Sequence, residues 1–233
     1  MRILIISDVH SNLEALQAVF AEVRGVDMVF NLGDLVGYGA DPNGVIELIK
    51  SLDVELISIL GNHDYAVISG DIEGMNVHAA QAALWTRRVL SEENKVFLKQ
   101  LELNKKLNLK GLGFYLVHGS PRNPLIEYVY PTFSREILAS YLRETQASVL
   151  LLGHTHIPMR SEFNDPPGTV LNPGSVGQSR DGIPNASCAL INLEEGQTGF
   201  QHIRVNYEVE KPANKILNAG LPSILAYRLY LGL

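Results

Sequence analysis

The sequence predicts a layered α/β fold on three observations. Short β-rich runs recur along its 233 residues, almost every run ends in a polar, glycine-containing turn, and helical periodicity follows the turns. Ile3 to Ser7 reads as the first strand. Beyond it, Leu13, Leu16, Val19, Phe20 and Val23 recur at helical spacing, with Ser11 or Asn12 placed as the cap. Met28 to Leu32 reads as a second strand, Val45 to Leu52 as a helix introduced by Asp41-Pro42, and Val54 to Leu60 as a third strand. From Val77 to Leu101 the pattern is a hairpin of helices, with Leu84, Trp85, Val89 and Leu90 as the apolar face and Ser91 before Glu92-Glu93 marking the second start. Phe114 to His118 and Ser148 to Leu152 resume strand character around a helical stretch from Phe133 to Glu144. The tail holds strand-like runs at Thr169 to Leu171, Ala186 to Asn192 and Phe200 to Val205, then one helical segment from Lys215 to Leu229. There is no internal repeat or low-complexity tract, and Pro121 to Pro131 reads as a long loop rather than a linker, so a single domain over residues 1–233 is expected.

Composition narrows the function classes. Lys plus Arg number 19 against 25 Asp plus Glu, and the basic residues form no stripe, which argues against duplex DNA or another long polyanion as partner. A small phosphorylated substrate stays compatible with a local metal centre. The lone Cys188 excludes an intramolecular disulfide and any zinc site of paired cysteines, and it suits a reducing cytoplasm. The apolar start Ile3 to Ile6 is too short for a signal peptide or a membrane span, so a soluble cytoplasmic protein is expected.

The chemistry gathers at the strand ends. Asp8 and His10 flank Val9 directly after the first strand and on an extended chain would point to one side; alone, the pair reads as a capped surface turn. Gly33-Asp34 follows the second strand. The third ends in Gly61-Asn62-His63-Asp64, where Asn62 offers a neutral oxygen to a metal, His63 a proton, and Asp64 a hydrogen-bond acceptor that would fix the imidazole. Later strands end at His118-Gly119 and at Gly153-His154-Thr155-His156. Five of the seven histidines lie in these turns, at the carboxyl ends of strands, the edge where open α/β sheets place their sites. Ordinary histidines have no reason to gather there, so a metal site is the better reading.

These motifs, Asp8-Val9-His10, Gly33-Asp34, Gly61-Asn62-His63-Asp64, His118 and Gly153-His154-Thr155-His156, in this order and spacing resemble the calcineurin-like metallophosphoesterases. The stretches Asp8 to Asn12, Gly33 to Gly39 and Asn172-Pro173-Gly174-Ser175-Val176-Gly177 look like a compact prokaryotic branch of small phosphodiesterases and diadenosine-tetraphosphatase-like proteins. The resemblance implies a two-sheet β-sandwich flanked by helices. It implies two metals, one on Asp8, His10, Asp34 and His156 and the other on Asp34, Asn62, His118 and His154, with Asp34 shared. It further implies that a hydroxide between the metals attacks phosphorus in line while His63, oriented and kept charged by Asp64, protonates the leaving oxygen. The donor set suits divalent or trivalent Mn first, then Fe or Zn, with Co or Ni also accepted.

Substrate contacts are expected from Asn62 and from Arg180, whose planar fork matches a phosphate. Arg122, Tyr128, Tyr130 and Phe133 lie on a loop placed to cover the site and stack on a nucleobase, with at least one ring serving the core. Related serine/threonine protein phosphatases carry Asp-Arg-Gly where Gly37-Tyr38-Gly39 stands, and a Glu where Asp64 stands. The missing arginine favours a small phosphodiester or nucleotide anhydride over a phosphoprotein. The remaining readings are a phosphomonoesterase and a non-catalytic scaffold of the same fold, the latter disfavoured because every ligand position is filled. Leu221, Leu225, Leu229 and Leu231 would pack on the chain's own sheet by default, with a second subunit as the other option.

Overall fold

The computed structural model describes residues 1–194 and 197–233. Ten strands and eight helices are assigned among them. One sheet joins β1 (Arg2–Ile6), β2 (Met28–Asn31), β3 (Glu55–Ser58), β9 (Ala186–Glu194) and β10 (Gln197–Val205) in the order β10-β9-β1-β2-β3. The other joins β4 (Asn104–Leu109), β5 (Leu112–Val117), β6 (Val149–Leu151), β7 (Met159–Asn164) and β8 (Pro167–Asn172) in the order β4-β5-β6-β8-β7. Both are mixed: β1, β2 and β3 run parallel, as do β5, β6 and β8, and the remaining pairings are antiparallel.

Side-chain alternation divides the core into layers. Ile3 and Ile5 of β1 and Phe30 of β2 face Phe114 and Leu116 of β5 and Leu151 of β6 in an apolar layer between the sheets. Leu4, Ile6 and Val29 face the opposite way, onto α1 (Leu13–Glu22) and α2 (Pro42–Lys50). Val117, Leu150 and Val170 likewise turn outward onto α6 (Arg135–Thr145). The expected sandwich with flanking helices is therefore the observed architecture.

Local starts and stops follow the sequence closely. Asn12 caps α1 by accepting the Ala15 N–H at 3.1 Å, and Ser91 caps α5 (Glu92–Lys99) by accepting from Asn94. Three expectations change. The helix after β3, α3 (Asn62–Ser69), was hidden in the polar Gly-Asn-His-Asp cluster. In α4 (Val77–Val89) the buried face is Ala79, Ala82, Ala83 and Thr86, while Leu84 and Val89 are 38% and 41% exposed. Small residues let this helix approach its neighbours; of the expected apolar face, Leu90 is buried and Trp85 packs against the core, and only Leu84 and Val89 were misread. The terminal helix is two: α7 (Glu210–Asn218) and α8 (Ser223–Leu231), broken where Gly220 takes φ +69° and Pro222 cannot continue a helix. Leu225 and Leu229 of α8 are buried against α7, α4 and Tyr38, whereas Leu231 is 58% exposed. None of the described helices is long and apolar enough to cross a membrane.

Candidate metal centre

Five strands, β1, β2, β3, β5 and β6, end at one edge shared by the two sheets, and the seven expected ligands follow them there. Ligand-type atoms of Asp8, His10 and His156 lie within 4.8 Å of one another, as do those of His10, Asp34 and His63, and those of Asp34, His118 and His154. Asn62 joins them, its Oδ1 3.0 Å from His118 Nε2.

The way Asp8 and His10 converge differs from the expectation. Both sit in the left-handed region, at φ 54° and 49°, as do Asp34, His154 and His156 at 56°, 68° and 62°. The chain is thus curled at these five residues rather than extended, and strand alternation does not aim the pair. Non-glycine residues adopt such angles at a cost of order 1 kcal/mol or more each, so their clustering here marks a site held by its surroundings.

Those surroundings are hydrogen bonds that bring the loops together. Asp8 N donates to Gly33 O, His10 N to Asp34 O, and Gly177 N to Asp8 O, each at 3.0 Å. Ser175 Oγ donates to Asp8 O at 2.7 Å, and Asn172 Nδ2 donates to Gly153 O at 2.7 Å and to Thr155 Oγ1 at 3.0 Å. The Asn172 to Gly177 segment is therefore the splint between the two sheets' loops. Gly61 is compulsory: any Cβ there would overlap the carboxylate and backbone nitrogen of Asp34.

Three of the candidate histidines and both carboxylates have one atom tied down and another presented. His10 Nδ1 donates to Val36 O at 3.1 Å, His118 Nδ1 to Leu32 O at 2.8 Å, and His156 Nδ1 to Gln178 O at 2.5 Å. Those bonds fix the ring orientation that turns Nε2 inward, where a metal would take its lone pair. Asp8 Oδ2 accepts from Ser7 Oγ and His154 N, and Asp34 Oδ1 accepts from His63 N at 2.8 Å. The other carboxylate oxygens, Asp8 Oδ1 and Asp34 Oδ2, and the ring nitrogen His154 Nε2, are buried without a partner. Buried acceptors left unpaired and converging on one point are the arrangement a cation satisfies. The residues fit divalent transition metals.

The charges respond accordingly. Against burial, His156 holds the Asp8 carboxyl below its ordinary value, and His118 and His63 do the same for Asp34. Burial also opposes protonation of His118, yet Asp34, 3.3 Å away, raises its pKa to about 9. Burial lowers His63 to about 4 and His154 to about 3.

The expected partnership of Asp64 with His63 is absent. The Asp64 carboxylate accepts instead from Asp34 N at 2.8 Å, Val36 N at 3.0 Å and Gly61 N at 3.1 Å. Burial and the facing Asp34 push Asp64 up to about 7, against the pull of the Val36 and Gly61 N–H groups. Its place as the third residue of α3 turns the carboxylate back onto the start of that helix and the Asp34 loop, away from the imidazole. His63 Nδ1 is buried and unpartnered, beside Gly37, where an added Cβ would lie 2.6 Å from it.

Tyr128 stacks on His154 with centroids 3.8 Å apart, and Tyr130 stacks in turn on Tyr128 at 5.8 Å. Phe133 packs into the core beside α6. Arg122 is turned away from the site, bonded to Glu144 and Ser140. Arg180 is close: its guanidinium donates to Tyr38 Oη at 3.2 Å and Gln178 Oε1 at 3.1 Å. Tyr38, given no role of its own from sequence, lies 4.7 Å from His10 and 4.3 Å from His63 between ring centroids. Its positive φ of 55° between Gly37 and Gly39 places the ring there, a signal no single-residue pattern carries.

A family profile described as the calcineurin-like phosphoesterase superfamily domain matches residues 1–196. An uncharacterized protein of Methanocaldococcus jannaschii is 38% identical, over 99% of this chain and 98% of its own length. A crystal structure of a metallophosphoesterase from Sphaerobacter thermophilus superposes with a TM-score of 0.86 at 35% identity, covering 100% of this chain and 99% of that one. More distantly, the phosphodiesterase YfcE of Escherichia coli is 26% identical over 82% of this chain and 88% of its own. A symmetrical bis(5'-nucleosyl)-tetraphosphatase of Xanthomonas oryzae is 24% identical over 72% of this chain, which spans only 48% of that protein. Fold, converging ligands and these similarities agree: the chain belongs to the calcineurin-like phosphoesterase superfamily and is a metal-dependent phosphoesterase.

Proposed function

We propose that the chain hydrolyses a small phosphodiester or a nucleotide phosphoanhydride at a centre of two metal ions that share Asp34. The observation that carries this reading is Asp34 Oδ2, a buried oxygen with no hydrogen bond, 3.7 Å from His10 Nε2 and 3.3 Å from His118 Nε2. Asp34 belongs at once to the His10 group and to the His118 and His154 group. Asp8, His10, Asp34 and His156 would hold one ion, and Asp34, Asn62, His118 and His154 the other. Mn is the first choice, with Fe, Zn, Co or Ni accepted by the same donors. When bound, the pair supplies Lewis acidity toward the phosphoryl oxygens and a nucleophile derived from water.

The chain's own residues supply positioning and the proton. His63 is the proton donor to the leaving oxygen. Burial keeps its ring neutral in the free protein, and an anionic phosphate beside it brings the negative charge that an imidazolium needs. Asn62 contacts the phosphate at the centre, Arg180 binds the substrate beside it, and Asp64 supports the reaction by holding the Asp34 and Gly61 loops in register. Next to the centre a cavity of about 420 Å³, lined by Tyr38, Asn62, His63, Tyr65, Tyr128 and His154 among others, is sized for one nucleoside or aryl group. The names of the YfcE and tetraphosphatase relatives support both substrate classes.

The test is turnover of an aryl phosphodiester, an aryl phosphomonoester and a dinucleoside polyphosphate by protein loaded with each metal, beside His63→Ala and Asn62→Ala. Metal-stimulated cleavage that falls at least about 100-fold in His63→Ala, with metal content retained, is expected. No turnover of any of the three by protein holding two ions per chain would overturn the reading.

A further inference from the structure

Two arginines meet over one buried tyrosine beside the metal centre. The Arg180 guanidinium carbon lies 5.7 Å from the Tyr38 ring centroid and that of Arg228 lies 5.6 Å from it. Arg180 comes from the loop after β8, whereas Arg228 comes from α8, beyond the residues matched by the superfamily profile. The helical hairpin α7–α8 packs its Ile216, Leu225 and Leu229 against Tyr38, so the fold builds a second structural layer to put Arg228 there.

Neither arginine is neutralised by a side chain. Among the described residues, no Asp or Glu carboxylate forms an ion pair with either one, and the nearest in sequence, Asp181, is taken by Arg204. Arg228 Nε donates to the backbone oxygen of Leu233 at 2.5 Å, and Arg180 Nε is buried with no partner at all. Burial and the neighbouring Arg180 both work against the Arg228 cation. Two half-buried guanidinium groups held together without an Asp or Glu carboxylate between them repel each other and lose hydration. Packing alone gives no reason for that; a bound anion does.

We propose that Arg180 and Arg228, positioned by Tyr38, form a subsite for a second phosphate of the substrate, next to the one held at the metal centre. Its two cations, neither paired with an Asp or Glu carboxylate, match an anhydride-linked phosphate better than the single charge of a simple diester. This rests on the phosphoesterase reading of the adjacent centre and narrows it to substrates with consecutive phosphates.

Binding rather than turnover tests it. Isothermal titration of the metal-loaded protein with adenosine monophosphate and with α,β-methylene adenosine diphosphate, which resists hydrolysis, gives an affinity ratio that cancels the shared nucleoside and phosphate. The wild type is expected to prefer the diphosphate analogue by at least about tenfold, and Arg180→Ala and Arg228→Ala each to reduce that preference by about tenfold, the loss of one charge-assisted contact. Ile224→Ala, on the outer face of the same helix at 47% exposure, serves as the control for helix integrity and should keep the preference. An unchanged preference in Arg228→Ala overturns the subsite and leaves the catalytic reading standing. An arginine-dependent preference in a protein that cleaves neither ester nor anhydride supports the subsite and overturns the catalytic reading instead.

Discussion

His10 Nε2 and His156 Nε2 face each other at 3.1 Å although both rings are oriented, through Nδ1, to present lone pairs there. Two acceptors do not attract at hydrogen-bond distance. The backbone carbonyls of Val36 and Gln178 thus hold the pair in a geometry that is unfavourable until a cation stands between the two nitrogens.

Removing metal should therefore destabilise the whole fold, because the left-handed turns at Asp8, His10, Asp34, His154 and His156 lose their common anchor. A chelator is expected to lower the melting temperature by about 5–10 °C, the equivalent of the roughly 3 kcal/mol that a ligand at 100 times its Kd contributes in a chain of this size. Scanning calorimetry before and after adding Mn back checks it, and an unchanged melting temperature would count against a structural metal.

Acid should act on the metal-free protein through the same histidines. Burial holds His63 at about 4 and His154 at about 3, below the ordinary 6.5, so between these values the unfolded chain binds protons that the folded one refuses. Their contribution is complete above pH 6.5 and is lost as pH falls, by on the order of 3 kcal/mol for His63 by pH 4. His118 runs the other way: although burial opposes it, Asp34 raises its pKa to about 9, and its contribution is full below pH 6.5 and lost as pH climbs to 9. Urea midpoints of chelated protein should peak near pH 6.5, and a monotonic profile from pH 4 to 9 would refute the assignment.

Asp64 separates a scaffolding role from a chemical one. Asp64→Ala leaves the N–H groups of Asp34, Val36 and Gly61 without their acceptor, and should cost about 3 kcal/mol in denaturant unfolding. The nuclear magnetic resonance titration of His63 in the chelated protein should keep its low pKa, since burial is the leading cause. A His63 pKa that moves by a unit or more in this variant would restore the imidazole partnership that the sequence had led one to expect.

Much of the site was legible because each ligand type closes a β-rich run: Asp8, Asp34, Asn62, His118 and His154 all follow strands that alternation and β-branched residues mark clearly. What stayed hidden depends on geometry that no linear pattern holds. Helix α3 begins inside a polar cluster, with its cap at a glycine. Asp64 lies next to His63 in sequence yet bonds across to the Asp34 loop, because one step along a helix turns a side chain by about 100°. Arg228 lies 190 residues from Tyr38, and only the packing of α8 shows that they meet.

The shared carboxylate is tested most directly by anomalous diffraction from Mn-loaded crystals. Two peaks are predicted, one among Asp8, His10 and His156 and one among Asn62, His118 and His154, with Asp34 Oδ2 between them. A single peak, or two peaks of which only one contacts Asp34, would contradict the account.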